Sequence, residues 1–290
     1  MKKIRFVILI AVFLLPVAGI CQQPSDKINV RIHPQANPWT GLDLNNDPET
    51  FQFAIMSDRT GGMRPGVFDD AVRKVNMLQP EFVMCVGDLI EGYTEEDAKL
   101  DQMWSEFNAL VKSLEMPFFY VSGNHDISNI KMLGEWKERF GRSYYHFTYR
   151  NVLFLVLNTQ DPPDGSDVSD TQIEYVKKVL SENNDVRWTL IFFHQPLWVE
   201  EARVGWPKVE ALWKDRPCTV FAGHKHTYTK FNRDGHDYYM LSTTGGSSDL
   251  SGVEAGKFDH ITWVTMREDG PRVVNLLLDG ILPDDVVVKE

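Results

Sequence analysis

Residues 117–126 read Pro117-Phe118-Phe119-Tyr120-Val121-Ser122-Gly123-Asn124-His125-Asp126. An apolar, aromatic run of strand character ends here in a glycine and three side chains that carry an amide, an imidazole and a carboxylate. The pattern recurs along the chain. Apolar runs lie at residues 51–56, 81–86, 152–157, 188–193, 219–222 and 238–241, and four further polar clusters follow such runs: Asp58, Gly87-Asp88, His194 and Gly223-His224-Lys225-His226. The runs are short, rich in Phe, Val, Ile and Tyr, and bounded by Gly, Pro, Asn or Asp, which predicts buried strands. Four of the eight histidines fall in the five clusters, a concentration that packing alone rarely produces.

Helical patterns alternate with these runs. Residues 67–78 place Val67, Ala71, Val72, Val75 and Leu78 on one face, and residues 104–114 do the same with Trp104, Phe107, Leu110, Val111 and Leu114. A third helix is expected near Ser169, which has capping-box spacing to Gln172 and precedes Ile173, Val176, Val179 and Leu180. Strands alternating with helices predict an α/β layered domain. Two hairpin signals make the sheets mixed: strand-like runs on either side of Tyr149-Arg150-Asn151, and residues 261–266 and 273–278 around Asp269-Gly270. No internal repeat, low-complexity tract or linker divides the chain, so residues 22–290 are expected to form a single domain. Its polar segment 22–50 is expected to be a surface lead-in with little regular structure.

At the N-terminus Lys2, Lys3 and Arg5 precede an apolar stretch over residues 6–20. The stretch is shorter than the roughly 20 residues of a membrane span, so residues 1–21 read as a signal peptide and the protein as exported, periplasmic or secreted. Cleavage after Cys21 is favoured over lipid anchoring at Cys21, because Ile20 is bulkier than the small residue that acylation requires. No other segment is apolar enough to cross a bilayer. Loss of Lys2, Lys3 and Arg5 takes the formal net charge from -11 to -14. Such an acidic protein has no general attraction to nucleic acid or anionic lipid, so an anionic substrate needs a local positive site. Metal ions are candidates for it. Cys85 and Cys218 each sit in an apolar run ahead of a cluster; free buried thiols are the simpler expectation, and export would permit a disulfide.

Carboxylate, amide and imidazole groups delivered from several strand ends can build one metal centre. The ordered set Asp58-Arg59-Thr60, Gly87-Asp88, Gly123-Asn124-His125-Asp126, His194-Gln195-Pro196 and Gly223-His224-Lys225-His226 resembles the calcineurin-like metallophosphoesterase family over about residues 51–246. The resemblance implies an α/β fold, a four-layer α/β/β/α sandwich of two mixed sheets flanked by helices. It implies two divalent or transition metal ions (Mn, Fe or Zn), one held by Asp58, Asp88 and His226, the other by Asp88, Asn124, His194 and His224. Such a pair lowers the pKa of bound water and favours in-line attack of the resulting hydroxide on phosphorus. By the same resemblance His125 and Asp126 are catalytic: His125 assists the leaving group and Asp126 orients its imidazole. The glycines Gly87, Gly123 and Gly223 are expected to allow turns and close approach.

One motif departs from the family. Thr60 stands where the first metal usually has a histidine ligand, so that site is expected to be weak, completed by another group, or empty. Arg59 either binds substrate phosphate through its guanidinium or is a solvent-exposed arginine in a Gly-rich loop. Gly61-Gly62 is a candidate anion-binding turn of backbone amides. Lys225 either offsets charge at the site or points to solvent, and Tyr93, Trp198, Trp206 and Tyr228 are candidate walls for an organic leaving group. His33, His146, His236 and His260 lie outside the motifs, and one of them could replace the missing ligand. The expected function is hydrolysis of a phosphate mono- or diester of a small phosphorylated substrate. The alternative, which the altered first motif supports, is a non-catalytic metal-binding member of the same fold.

Overall fold

The structure, a computed structural model, describes residues 28, 38–42, 44–163, 165–200 and 204–281. The expected signal peptide and most of the polar lead-in lie outside them. The chain divides into two compact units, Met1–Asp47 and Pro48–Glu290. Described residues of the first carry no helix or strand, and the elements below belong to the second.

In chain order these are β1 (Phe51–Met56), α1 (Val67–Leu78), β2 (Val83–Cys85), α2 (Asp97–Val111), β3 (Phe118–Phe119), α3 (Ile130–Phe140), β4 (Tyr145–Tyr149), β5 (Val152–Val156), α4 (Asp170–Glu182), β6 (Trp188–Phe192), α5 (Trp206–Glu210), β7 (Cys218–Ala222), β8 (Thr229–Arg233), β9 (His236–Met240), β10 (His260–Arg267) and β11 (Gly270–Leu277). One sheet runs β11-β10-β1-β2-β3, the other β4-β5-β6-β7-β9-β8. Both are mixed. β1, β2 and β3 are parallel with β10 antiparallel to β1, and β5, β6, β7 and β9 are parallel between antiparallel edges β4 and β8.

The period-2 geometry of a strand explains how these all-apolar runs are buried on two faces at once. In β5, Val152, Phe154 and Val156 join the core between the sheets, whereas Leu153 and Leu155 pack outward with Val176 of α4 and Val209 of α5. Facing rings fill the inter-sheet layer: Phe154 lies 5.5 Å from Phe53 and 5.4 Å from Phe82, and Phe53 lies 6.3 Å from Phe192. Each such buried ring contributes about 2 kcal/mol by burial. On the other side of the first sheet α1, α2 and α3 interlock through Phe68, Phe107, Trp104 and Trp136. The result is the expected sandwich of two mixed sheets with flanking helices.

α1 occupies the predicted residues, with Phe68, Ala71, Val72 and Val75 buried. α4 starts as expected at Ser169, whose hydroxyl accepts from the Gln172 amide. The reciprocal half of the capping box is absent, because the Gln172 side chain turns inward to the backbone of Asn158. α2 begins seven residues before the predicted start, since its first turns carry only Leu100 as a buried residue. α3 escapes the apolar pattern because only Met132 and Trp136, one turn apart, are buried; its start is set by Asn129, which accepts from the Met132 amide. β8 escapes it as well, being an edge strand with Lys230 and Asn232 exposed or half-exposed, although Asp234-Gly235 makes a left-handed hairpin turn into β9. Cys85 and Cys218 are free and buried.

Candidate metal centre

The five clusters follow the C-terminal ends of β1, β2, β3, β6 and β7, parallel strands of the two sheets, and the architecture brings them together. The backbone is bent to do so. Asp88, His224 and His226 all have positive φ (56°, 74° and 50°), a conformation disfavoured for side chains with a Cβ and characteristic of functional sites. Two glycines leave the necessary room: a Cβ on Gly123 would stand 2.1 Å from Asp88 Oδ1, and one on Gly223 would stand 2.2 Å from Asp58 Oδ2.

Second partners fix each donor. The Ser57 hydroxyl and the His224 amide donate to the two Asp58 carboxylate oxygens, at 2.7 Å each. His194 Nδ1 lies 2.8 Å from the Val86 carbonyl, which can only accept, so the proton of the neutral ring sits on Nδ1 and Nε2 presents a lone pair. His226 is fixed in the same way by the Ser247 carbonyl at 2.7 Å. Asn124 Nδ2 donates to the Tyr93 hydroxyl at 2.8 Å, which turns Oδ1 inward.

Carboxylate, amide and imidazole acceptors therefore converge. His194 Nε2 lies 3.0 Å from Asp88 Oδ2, 2.9 Å from Asn124 Oδ1 and 3.2 Å from His224 Nδ1. On the other side His226 Nε2 lies 3.4 Å from Asp58 Oδ1. Donor atoms of Asp88, His194 and His224 fall within 4.8 Å of one another, and so do those of Asp58, Asp88 and His226, with Asp88 common to both groups. Such a gathering needs a cation, and this donor set of carboxylate oxygen and imidazole nitrogen fits two borderline metal ions. With protons alone, one imidazole takes the positive charge. Burial by itself would depress the His194 pKa, but Asp88 outweighs it and raises it to about 9. Burial and the His194 charge then push His224 down to about 4. Burial would raise Asp58; its His226 partner and the nearby imidazoles instead bring it to about 2.

Asp88, Asn124, His224 and His226 border a cavity of about 390 Å3 that His125, Lys225, Ser247, Asp249 and Lys257 also line. A larger cavity of about 660 Å3 lies elsewhere, against the start of α1 and Leu278, and contains none of the cluster residues. Lys225 and Lys257 are paired with Glu200 at 3.2 Å and Asp249 at 2.8 Å.

Several expectations are corrected. Asp126 does not orient His125: its buried carboxylate accepts the amides of Gly123, Leu89 and Ile90 at 2.8, 2.9 and 3.1 Å and so clamps the loops after β2 and β3. His125 Nδ1 instead meets the Glu91 carbonyl at 2.8 Å. Arg59 is neither a phosphate clamp nor a surface residue. It is buried, donates to the Leu89 carbonyl at 2.7 Å and lies over the Phe107 ring, because its side chain runs behind the cavity into the α2 packing layer. The Gly61-Gly62 turn does bind an anion, but it is the Glu91 carboxylate, held by the Gly62 and Met63 amides at 3.2 and 2.7 Å. Trp198 and Trp206 pack into the core with Phe193, and Tyr228 stacks toward Phe258; of the four aromatic candidates Tyr93 reaches the site. His146, His236 and His260 belong to neither group of gathered donor atoms among the described residues, so none of them replaces the missing ligand, and His33 lies outside the described residues. Thr60 is fully buried beside Glu91. Glu91 and Ser57 carry no spacing signal in the sequence, and only the tertiary structure places them at the site.

Comparisons with known proteins bear on the family and the fold. The family model for calcineurin-like phosphoesterase matches residues 33–228. A serine/threonine-protein phosphatase CPPED1 from Pongo abelii is 30% identical over 145 residues, 46% of this chain and 46% of that protein, so the chain spans about half the length of such curated relatives. Among solved structures, a dimetal phosphatase from Danio rerio superposes with a TM-score of 0.58 at 14% identity, covering 78% of this chain and 98% of that one. The purple acid phosphatase PPD1 from yellow lupin gives 0.60 at 14% identity, covering 80% and 52%. At such identities the structural likeness concerns the fold.

Proposed function

The chain belongs to the calcineurin-like phosphoesterase family, and on that premise we propose that it is a metal-dependent phosphoesterase acting on a small phosphorylated substrate. The observation that carries this reading is the convergence of carboxylate oxygens and imidazole nitrogens around Asp88, with the His125 imidazole facing the same cavity. Asp58, Asp88 and His226 would hold one cation, and Asp88, Asn124, His194 and His224 the other. Two cations so held supply Lewis-acid charge for the phosphoryl oxygens and acidify water at neutral pH.

The chain's own residues do the rest. His125 Nε2 lies 4.0 Å from Asp88 Oδ2 at the cavity wall, and the Glu91 carbonyl fixes the ring through Nδ1. Because Nδ1 donates to that carbonyl, Nε2 carries a proton only in the cationic imidazolium, and in that form the proton is in place to pass to the departing oxygen of the ester. Lys225 and Lys257 already face carboxylates, so little free cationic charge remains among the described cavity residues, and phosphate recognition falls to the cations bound by the cluster. His125 also separates this reading from a non-catalytic metal-binding one, since its ring is held in the cavity without serving the acceptor cluster.

Export of the mature chain from residue 22 onward is part of the proposal and rests on residues 1–21; N-terminal sequencing of protein from the producing cell tests it. The activity is tested by metal analysis of the purified protein paired with assays on a generic phosphate monoester and a generic diester. Bound metal with hydrolysis of either supports the reading, and a fully metallated protein inert towards both refutes it.

A further inference from the structure

A second cavity, also about 390 Å3, adjoins the metal centre and shares Asn124 and His224 with it. Tyr93, Gln160, Pro163 and Gln195 form much of its wall, and none of its described lining residues is an acid, a lysine or an arginine. Gln160 and Gln195 are 6% and 5% exposed, and the side-chain carbonyl oxygen of each is buried without a hydrogen-bond partner. A buried carbonyl oxygen without a donor is unfavourable and uncommon, and the two residues that carry them both line this cavity, which marks it as a place where something else can supply the donors.

Neither glutamine is free to turn its backbone and relieve this. The Gln160 amide donates to Asn158 Oδ1 at 2.8 Å, and its carbonyl accepts from Asn158 Nδ2 at 3.3 Å. The Gln195 amide donates to Thr159 Oγ1 at 3.1 Å, and its carbonyl accepts from the Leu197 amide at 2.8 Å. The loops after β5 and β6 thus hold both side chains at the wall. Tyr93, largely exposed, stands edge-on to His125 at 4.8 Å and supplies an aromatic flank on the side of the proposed proton donor.

We propose that Gln160 and Gln195 form a leaving-group subsite that selects phosphate esters whose alcohol portion is uncharged and presents hydrogen-bond donors. This rests on the phosphoesterase reading: with the phosphoryl group at the metal centre, the group attached to it extends past Asn124 and His224 into the second cavity. Turned toward the cavity, the two side-chain carbonyl oxygens match hydroxyl or exocyclic amine donors, and a described lining without acids, lysines or arginines disfavours a charged substituent. The cavity lies within the size range of small-molecule sites.

The test compares metal-loaded wild type, Gln160→Leu and Gln195→Leu on three monoesters: adenosine 5′-monophosphate, glycerol 3-phosphate, and 4-nitrophenyl phosphate, whose leaving group offers no donor. In each variant the ratio of kcat/KM for the donor-bearing esters to that for the nitrophenyl ester should fall about tenfold, the effect of one lost hydrogen bond. A fall with both donor-bearing esters identifies hydroxyl recognition, and a fall with the adenosine ester alone identifies the amine. Loss of folded protein lowers all rates together and leaves the ratio unmoved. The proposal is overturned by an unchanged ratio in both variants, or by a wild type that cleaves the nitrophenyl ester and neither of the others. If wild type cleaves none of them, the phosphoesterase reading fails for these esters. Calorimetric binding of adenosine 5′-monophosphate, weakened in both variants, then supports the subsite, and absence of binding to wild type overturns it.

Discussion

His194 Nε2 and His224 Nδ1 face each other 3.2 Å apart, and the same His194 nitrogen lies 3.0 Å from an Asp88 oxygen. With His194 Nδ1 committed to the Val86 carbonyl, the contacts of Nε2 with the Asp88 and Asn124 oxygens, which can only accept, call for an extra proton on Nε2 or a metal ion. Without metal the His194 pKa of about 9 keeps that ring protonated at pH 7, whereas a ligand must be neutral. Metal binding to the apo protein at pH 7 should therefore release about one proton from this site. Calorimetric titrations in buffers of different ionisation enthalpy measure the release, and His194→Ala should abolish it.

Tyr93 should tune metal affinity without touching metal. Its hydroxyl takes the Asn124 amide hydrogen and turns Oδ1 inward, so Tyr93→Phe lets the amide rotate. Loss of such an outer partner should weaken the site about tenfold. Titration against a competing chelator reads this directly, and an unaltered affinity would show that Asn124 is held by other means.

His125 and Asp126, adjacent in sequence, should separate experimentally. His125→Ala should leave metal content intact and lower turnover about 100-fold or more, the range of a positioned acid or base. Asp126→Ala removes the acceptor of three buried amides and should destabilise the fold by about 3 kcal/mol, measured by urea unfolding. A stable Asp126→Ala protein would contradict its role as a loop clamp.

Arg59 should affect stability and not substrate affinity. Arg59→Met keeps most of the apolar contact with Phe107 but removes the donor to Leu89. The expected outcome is a loss of about 1–2 kcal/mol of stability with KM for a phosphoester unaltered. A raised KM at constant stability would return Arg59 to the substrate.

His260 should steepen the acid limb of stability. Burial outweighs its Asn275 partner and depresses its folded pKa to about 4, below the ordinary value of 6.5. Between these values the unfolded chain binds more protons, so stability is present above pH 6.5 and is lost as pH falls towards 4. His260→Gln should flatten the curve in that window relative to wild type. Parallel curves for the two proteins would contradict this.

Much of the fold was legible because its signals are local. The inter-sheet core comes from short runs such as 152–157, whose uniformly apolar character follows from burial on both faces, and α1 comes from a single apolar stripe. α3 and β8 were not legible, since α3 buries two side chains and β8 alternates at an exposed edge. The candidate site divides in the same way. The residues that gather around Asp88 are those that follow apolar runs. The partners of Asp126 and Arg59 are different: Leu89 and Ile90 lie 37 and 36 residues from Asp126, and Leu89 lies 30 from Arg59. No spacing rule connects such positions.

By itself the sequence determined which chemical groups follow the ends of the strands, because a strand end and the few residues beyond it are governed by local propensity. Only the tertiary structure decided which way those groups turn. Asp58 takes its amide donor from His224, 166 residues away, His125 takes its orientation from the Glu91 carbonyl, and the anion expected of a ligand at Gly62 is the protein's own Glu91. A hydrogen bond is directional and short-ranged, so its partner is settled by where the loops of two sheets meet, and that meeting point exists only once the inter-sheet core has packed.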